Sequence, residues 1–435
     1  MKKRRFAVVA LICCLSAGTL PAAANTIKAV SMNQLVDSER LWEITSAEIA
    51  RKHPEIFKPT DKTNCRWRYG IENPEKIGYA KYQVCELLID FTDDRVSELT
   101  VWLYNRGDAG VVKLDFFERM VAEITEHLQQ RAQDVQPVRQ QLQLSGGGIQ
   151  HSLTWKTPRA DLQLRYASTD KPEFCVVTVY PPGQAPNDIR AALKPKAAYR
   201  NLKDNLQTDA SGNRFLMLPM VDQGSKGYCV AAVLERVMSY YGADFDQHTV
   251  AQFAESNARS GTSLETMLDR LESMKGRLNL RITTFYRFYA FENDRQDMMR
   301  YQDLKRFVED YNRAAVRMRQ KEIGKNGYID FSDFVYPCFV AGRLGDRAGR
   351  QKFFNSIRQS INQGVPLCWA VLLLPDSPEK VGAGYHLRII NGFSRDGKNI
   401  IYTDSWGKGH EKKTMSADAA FGITLRLFSV APALK

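Results

Sequence analysis

The segment Gln223-Gly224-Ser225-Lys226-Gly227-Tyr228-Cys229 has residue types and a spacing suited to nucleophilic chemistry. A glycine-rich turn feeds a cysteine into the start of an amphipathic stretch. A thiol at a helix N-terminus meets the positive end of the helix dipole, which favours the thiolate. The Gln223 side-chain amide and the cysteine's own backbone N–H could both donate to a developing oxyanion. Far downstream lie His386 and Asp404-Ser405-Trp406-Gly407. An imidazole at 386 could take the thiol proton of Cys229 and later protonate a leaving amine. An acid at 404 could orient that imidazole and stabilise its cation. Two other histidines compete for the base role. His248 follows the cysteine too closely to fold back easily on the thiol, and His410 lies in the polar loop Lys408–Lys413, where a solvated position is expected. Tyr228, Gly227 and Trp406 are candidates for a substrate cleft, and Lys226 could raise the local positive potential.

These motifs resemble those of papain-like cysteine peptidases. QGSKGYC (223–229) is similar to that family's nucleophile motif, and DSWG (404–407) to its Asn-Ser-Trp-Gly. The chain departs from the pattern at Lys226, Tyr228 and Val230, and Asp404 stands where the family usually has Asn. The bacterial double-glycine leader peptidases do use Asp at that place. CVAAVLERVMSYYG (229–242) and GTSLETML (261–268) also resemble that branch. His386 falls roughly 150 residues after Cys229, close to the papain-type separation. The resemblance covers about residues 215–430. It implies an α+β fold with the nucleophile on a helix N-terminus and an antiparallel sheet carrying His386 and Asp404. It also implies Gln223 as oxyanion donor and Trp406 beside the histidine.

The elements that must position these groups are partly readable. Val230, Val233, Leu234, Val237, Met238 and Tyr241 form one apolar stripe at helical spacing, and Gly242 is a natural stop. A second helix is expected over 263–274. A charged helical insertion at about 290–322 reads as a solvated surface helix, or else as a gating or partner-binding arm. Strands are expected at Leu367–Leu374, His386–Phe393 and Ile400–Asp404, the last two joined at Asp396-Gly397. A tight turn there would put Asp404 opposite Ile389, roughly 10 Å from His386 at about 3.3 Å per residue. The triad therefore requires a wider loop or a bulge.

Upstream, Thr45-Ser46-Ala47-Glu48 has capping-box spacing. Strands are expected at Cys65–Ile71, Ala80–Phe91, Val96–Tyr104, His151–Trp155, Asp161–Tyr166 and Phe174–Tyr180, with an amphipathic helix over 113–130. His53, His127 and His151 are scattered and have no catalytic spacing. The domain reading is a signal peptide over 1–24, an α+β domain of unknown role over 25–180, a linker over 181–213 and a catalytic domain over 214–435.

The first 24 residues combine a basic start, a short apolar run and Ala22-Ala23-Ala24. That describes a secretory leader cleaved after about Ala24, and hence a secreted or periplasmic protein with no stable membrane insertion afterwards. Four of the positive charges behind the net +12 lie in the leader. The remainder are interspersed with acids, which does not suggest nucleic-acid binding. Eight cysteines are present, and Cys13 and Cys14 leave with the leader. The remaining six favour disulfides in an exported chain, so a disulfide-bonded Cys229 stands as the alternative to a free nucleophile. No zinc-ligand spacing, phosphate loop or dinucleotide fingerprint occurs, so no cofactor or metal is expected. The expected activity is a cysteine peptidase acting on a peptide or protein substrate. Alternatives are a transglutaminase-like ligation, a peptidoglycan-directed acyl transfer, or a catalytically silent binding protein on the same scaffold.

Overall fold

The computed structural model describes residues 7–9, 30–36, 38, 40–54, 64–68, 77–106, 110–143, 149–168, 171–188, 191, 193–221, 223, 228–243, 250, 263–289, 297–324, 328–330, 333–379, 384–407 and 409–433. Its class is α+β, built around two large antiparallel sheets.

The first sheet has seven strands: β1 (Asn64–Arg68), β2 (Glu86–Thr92), β3 (Arg95–Asn105), β4 (Val138–Gln143), β5 (Ile149–Lys156), β6 (Asp161–Ser168) and β7 (Pro172–Tyr180). Their order across the sheet is β1-β2-β3-β7-β6-β5-β4. Every residue of β7 is buried, as suits a central strand covered on both faces. The capping box forms as expected: Thr45 and Glu48 bond each other's backbone N–H at the start of α1 (Ser46–Lys52). Helix α2 (Leu114–Ala132) buries Phe117, Met120, Val121, Ile124 and Leu128 against this sheet's core. The end of the expected strand Cys65–Ile71 lies outside the described residues, as does most of the leader.

The second sheet holds β8 (Leu206–Thr208), β9 (Arg214–Leu216), β10 (Leu280–Arg287), β11 (Leu367–Leu373), β12 (Gly384–Phe393), β13 (Asn399–Thr403), β14 (Lys413–Ser416) and β15 (Thr424–Pro432). The main path runs β8-β9-β12-β11-β15-β10, and β13 joins β12 to β14. One core contains Val230, Val233, Leu234, Val237 and Met238 of α3 (Cys229–Tyr240), with Leu268 and Leu271 of α4 (Leu264–Met274). The other contains residues of α5 (Asp297–Met318), α6 (Tyr336–Arg343), α7 (Arg347–Asn362) and α8 (Ala417–Ile423). At roughly 1.5–3 kcal/mol per fully buried large apolar side chain, these faces hold the helices in place.

Two expectations change. The helical insertion is more than a solvated arm, because Leu304, Phe307, Tyr311, Ala314 and Ala315 of α5 are buried in a core. The segment read as a linker over 181–213 carries Leu193 and Leu202 into the core under α3, and its end forms β8.

Candidate active site

Cys229 is the first residue of α3 and is partly exposed. Tyr228 at the N-cap gives no side-chain cap to the helix. The first-turn N–H groups are therefore available to the sulfur, and the backbone N–H of Val230 does bond it. Burial pushes the thiol pKa up. The hydrogen bond and charge of His386, with the N–H groups of Leu387 and Val230, outweigh it and hold the thiol below its ordinary value.

His386 sits on β12, opposite Val371 of β11, and is almost fully buried. Its Nε2 lies 2.5 Å from Asp404 Oδ1, which leaves Nδ1 to meet the thiol. Burial pulls the imidazole pKa down, but the Asp404 charge and hydrogen bond, with Cys229, raise it to about 9. The Trp406 ring stacks on the imidazole at 4.5 Å and 16°. Asp404 is wholly buried. Burial raises its pKa, while His386, Arg388 and Lys413 lower it further, and the net is below the usual carboxylate range.

The register difficulty is resolved by a bulge. The hairpin starts in the tight-turn register, with Phe393 opposite Ile400 and Gly392 opposite Ile401. The ladder then shifts at Asn391, so that Ile390 pairs with Tyr402 and Ile389 with Thr403. Asp404 thus comes level with Arg388, on the face that His386 shares by its two-residue spacing. Without the extra residue Asp404 would share the face of Ile389. Asn391 Nδ2 anchors the bulge by donating to the Leu216 carbonyl at 2.9 Å.

Two buried arginines hold the acid. Arg388 Nε lies 2.9 Å from Asp404 Oδ2, and Nη1 lies 2.8 Å from Glu379 Oε2. Both are ion-pair distances, off the line of the N–H bonds. The guanidinium lies 5.1 Å from the Tyr402 ring centre and 5.8 Å from that of Trp406. Arg236, on α3, donates to the Asp404 carbonyl at 2.8 Å, to Thr403 Oγ1 at 2.7 Å and to the Pro219 carbonyl at 2.8 Å. It ties the helix bearing the thiol to the strand end bearing the acid. Neither arginine was anticipated. The available signals were Arg388 two residues from His386 and the lone arginine, Arg236, on a largely apolar helix.

Gln223 is buried and doubly tied to the DSWG segment. Its N–H donates to the Ser405 carbonyl at 2.8 Å, and its Oε1 accepts from the Ser405 hydroxyl at 2.8 Å. The second bond holds the amide oxygen against Ser405. Ser405 is a further residue that the sequence reading had not assigned.

Tyr228 requires a correction. It is wholly buried within the apolar core under α3 and walls no cleft. His410 is also different from expectation. Its ring packs edge-on against Trp406 at 5.4 Å, burial and Lys413 lower its pKa, and its carbonyl accepts from the Asp404 N–H at 3.0 Å. Gly227, Lys226 and His248 lie outside the described residues. Cys175, Cys229, Cys338 and Cys368 are free thiols. Among the described residues no group of His, Cys, Asp and Glu could hold a metal ion, and no helix is long and apolar enough to cross a membrane. The chain matches no family model and no curated protein.

Proposed function

We propose that the chain is an exported cysteine peptidase of papain-like fold, hydrolysing peptide or amide bonds through a thioester at Cys229. The observation that carries this reading is His386 held between the Cys229 thiol and the buried Asp404 carboxylate. A lowered thiol pKa beside a raised imidazole pKa favours a thiolate–imidazolium pair near neutral pH.

In this reading the thiolate attacks the substrate carbonyl carbon, and the oxyanion receives hydrogen bonds from the Cys229 N–H and the Gln223 NH2. Each such donor is worth on the order of 100- to 1,000-fold in rate. The imidazolium gives its proton to the amine as the C–N bond breaks, leaving a thioester. Neutral His386 then takes a proton from water, whose oxygen attacks the thioester. The acid leaves and the thiolate–imidazolium pair is restored. Asp404 keeps the ring oriented throughout, and Trp406 covers one of its faces.

The test is site-resolved alkylation of Cys229 against pH, in wild type and in His386→Ala. Rapid labelling well below pH 8.5 (about the free-thiol pKa) that slows in the variant is expected. Labelling only after a reductant would mean a structural disulfide, and the binding-protein alternative would then lead. Unchanged peptide or amide hydrolysis in Cys229→Ala would sink the peptidase reading. Product mass with an amine offered separates hydrolysis from transglutaminase-like transfer.

A further inference from the structure

The ion-pair chain that ends on His386 begins at a cavity. Asp404 pairs with Arg388, Arg388 pairs with Glu379, and Glu379 also accepts from the Tyr402 hydroxyl. Glu379 and Tyr402 both line a partly enclosed cavity of about 250 Å³. That is roughly eight times the ~30 Å³ that water occupies, enough for a short aliphatic chain. Its walls are Leu372, Leu374, Met415 and Ile423. Its polar lining includes Glu379 and Ser377, neighbours in sequence, with Tyr402, Thr414 and Ser416. The Ser377 hydroxyl is buried, with the residue only 7 % exposed, and has no hydrogen-bond partner. A buried hydroxyl without a partner costs about 1–3 kcal/mol, so its presence in the lining of a cavity points to an occupant.

The chemistry of that occupant follows from the lining. The walls ask for an aliphatic stem. Glu379 offers a carboxylate, which only accepts, and the Ser377 hydroxyl can accept beside it, so the head group should be a hydrogen-bond donor. Charge favours a cation. Asp376 lies on the same loop and accepts the backbone N–H of Tyr336, another lining residue, at 2.9 Å. The one guanidinium on Glu379, that of Arg388, is shared with Asp404, so two carboxylates face one buried cation; Lys413 is 5.9 Å from the Trp406 ring centre.

We propose that this cavity is a binding site for an aliphatic primary ammonium group, its stem against Leu372, Leu374, Met415 and Ile423 and its head on Glu379 and Ser377. The group could be carried by a lysine side chain of a polypeptide or by a free alkylamine. The site is argued from its own lining and does not depend on the peptidase reading.

The test is titration calorimetry on the full chain with n-hexylamine, n-hexanol and n-hexanoate, which reads binding without catalysis. Hexylamine should bind, and the alcohol and carboxylate should bind at least about 10-fold more weakly. Glu379→Gln should weaken hexylamine roughly 10- to 100-fold, the range for a hydrogen bond to a charged group. Because that change also touches Arg388, Ser377→Ala gives a second reading, with a loss of a few-fold expected. Ala419→Leu, which fills the cavity from its partly exposed helical wall, should abolish binding. Equal binding of the three probes, or undiminished binding in Ala419→Leu, would overturn the proposal. An acetylated lysine dipeptide compared with its norleucine counterpart identifies the source. Tighter lysine binding than hexylamine assigns the pocket to a polypeptide side chain; the reverse assigns it to a free amine.

Discussion

Asp404 sets the pH behaviour of the site. The folded protein holds the Asp404 carboxyl below its usual 3.8 and the His386 imidazole above its usual 6.5, at about 9. The depressed carboxyl contributes stability above 3.8 that is lost as pH falls through its folded value. The raised imidazole contributes stability in full below 6.5 that drains away as pH rises through about 9. Asp404→Asn keeps the shape and removes the charge. The imidazole pKa should then fall, the thiol pKa should rise with it, and stability should change less between pH 6.5 and pH 9. Two measurements check this: Cys229 alkylation rates and urea midpoints across that range. An unaltered alkylation profile would mean that Asp404 does not act on the pair. At this scale the meeting of Cys229, His386 and Asp404 was legible, because a cysteine, a histidine and an aspartate follow one another with the spacing of the proposed triad. Arg388 and Arg236 were not, since an arginine in sequence reads as solvent-exposed. Tyr228 was misassigned for a related reason: its neighbours in the glycine turn suggest surface, while its ring falls on the buried side of α3.

Between elements, the bulge on β12 decides whether the acid and the base share a face. Gly392 follows the extra residue, where β9 crosses close by. A Cβ at 392 would stand 2.5 Å from the Arg214 carbonyl oxygen and 2.7 Å from Phe215 Cβ, and the backbone oxygen cannot swing away. Gly392→Val should destabilise by about 1–3 kcal/mol, the usual range for overpacking, and should slow Cys229 labelling by disturbing the His386–Asp404 register. Thermal unfolding and alkylation read the two effects, and an unchanged melting midpoint would contradict the crowding argument. Elements with a clear apolar period were legible: α2, α3, α4, β11 and β12 lie within a few residues of where the pattern put them. β4 was missed, because VRQQLQ has polar residues on both faces and forms only by pairing with β5 at the sheet edge. The bulge was required by the chemistry, but its place at Asn391 was not readable. Nothing in IINGF says which residue drops out of the ladder.

Across the whole molecule, the question is where the part that holds the site begins. The buried core of the first sheet draws on residues 32–179, and the cores around the second on 193–431. The stretch between is divided: Ala185 and Asn187 bond the first sheet through Asp161, Gln140 and Lys156, and from Lys196 on the chain is tied to the second set. The backbone N–H groups of Lys196 and Ala197 donate to the Tyr241 carbonyl at the end of α3, and the Tyr199 hydroxyl donates to Gln363. Leu202 is buried under α3, and its carbonyl packs against Gly364 so closely that a Cβ there would stand 1.7 Å away. Leu142 of β4 also packs on this core from the first sheet. A chain starting at 186 keeps Leu193, Leu202 and β8, and loses the Leu142 contact together with the hydrogen bonds from Gln140 and Lys156 to Asn187. A chain starting at 214 removes two buried leucines and an edge strand, at about 2–5 kcal/mol for each large side chain deleted from a core. The longer form should unfold cooperatively and retain Cys229 labelling near neutral pH. The shorter form should be aggregated or melt far earlier. If the two melt together, residues 186–213 are a spacer after all. If the longer form hydrolyses peptides faster than the full chain, the first sheet restrains the site, whereas loss of solubility in both forms would make that sheet integral to the fold.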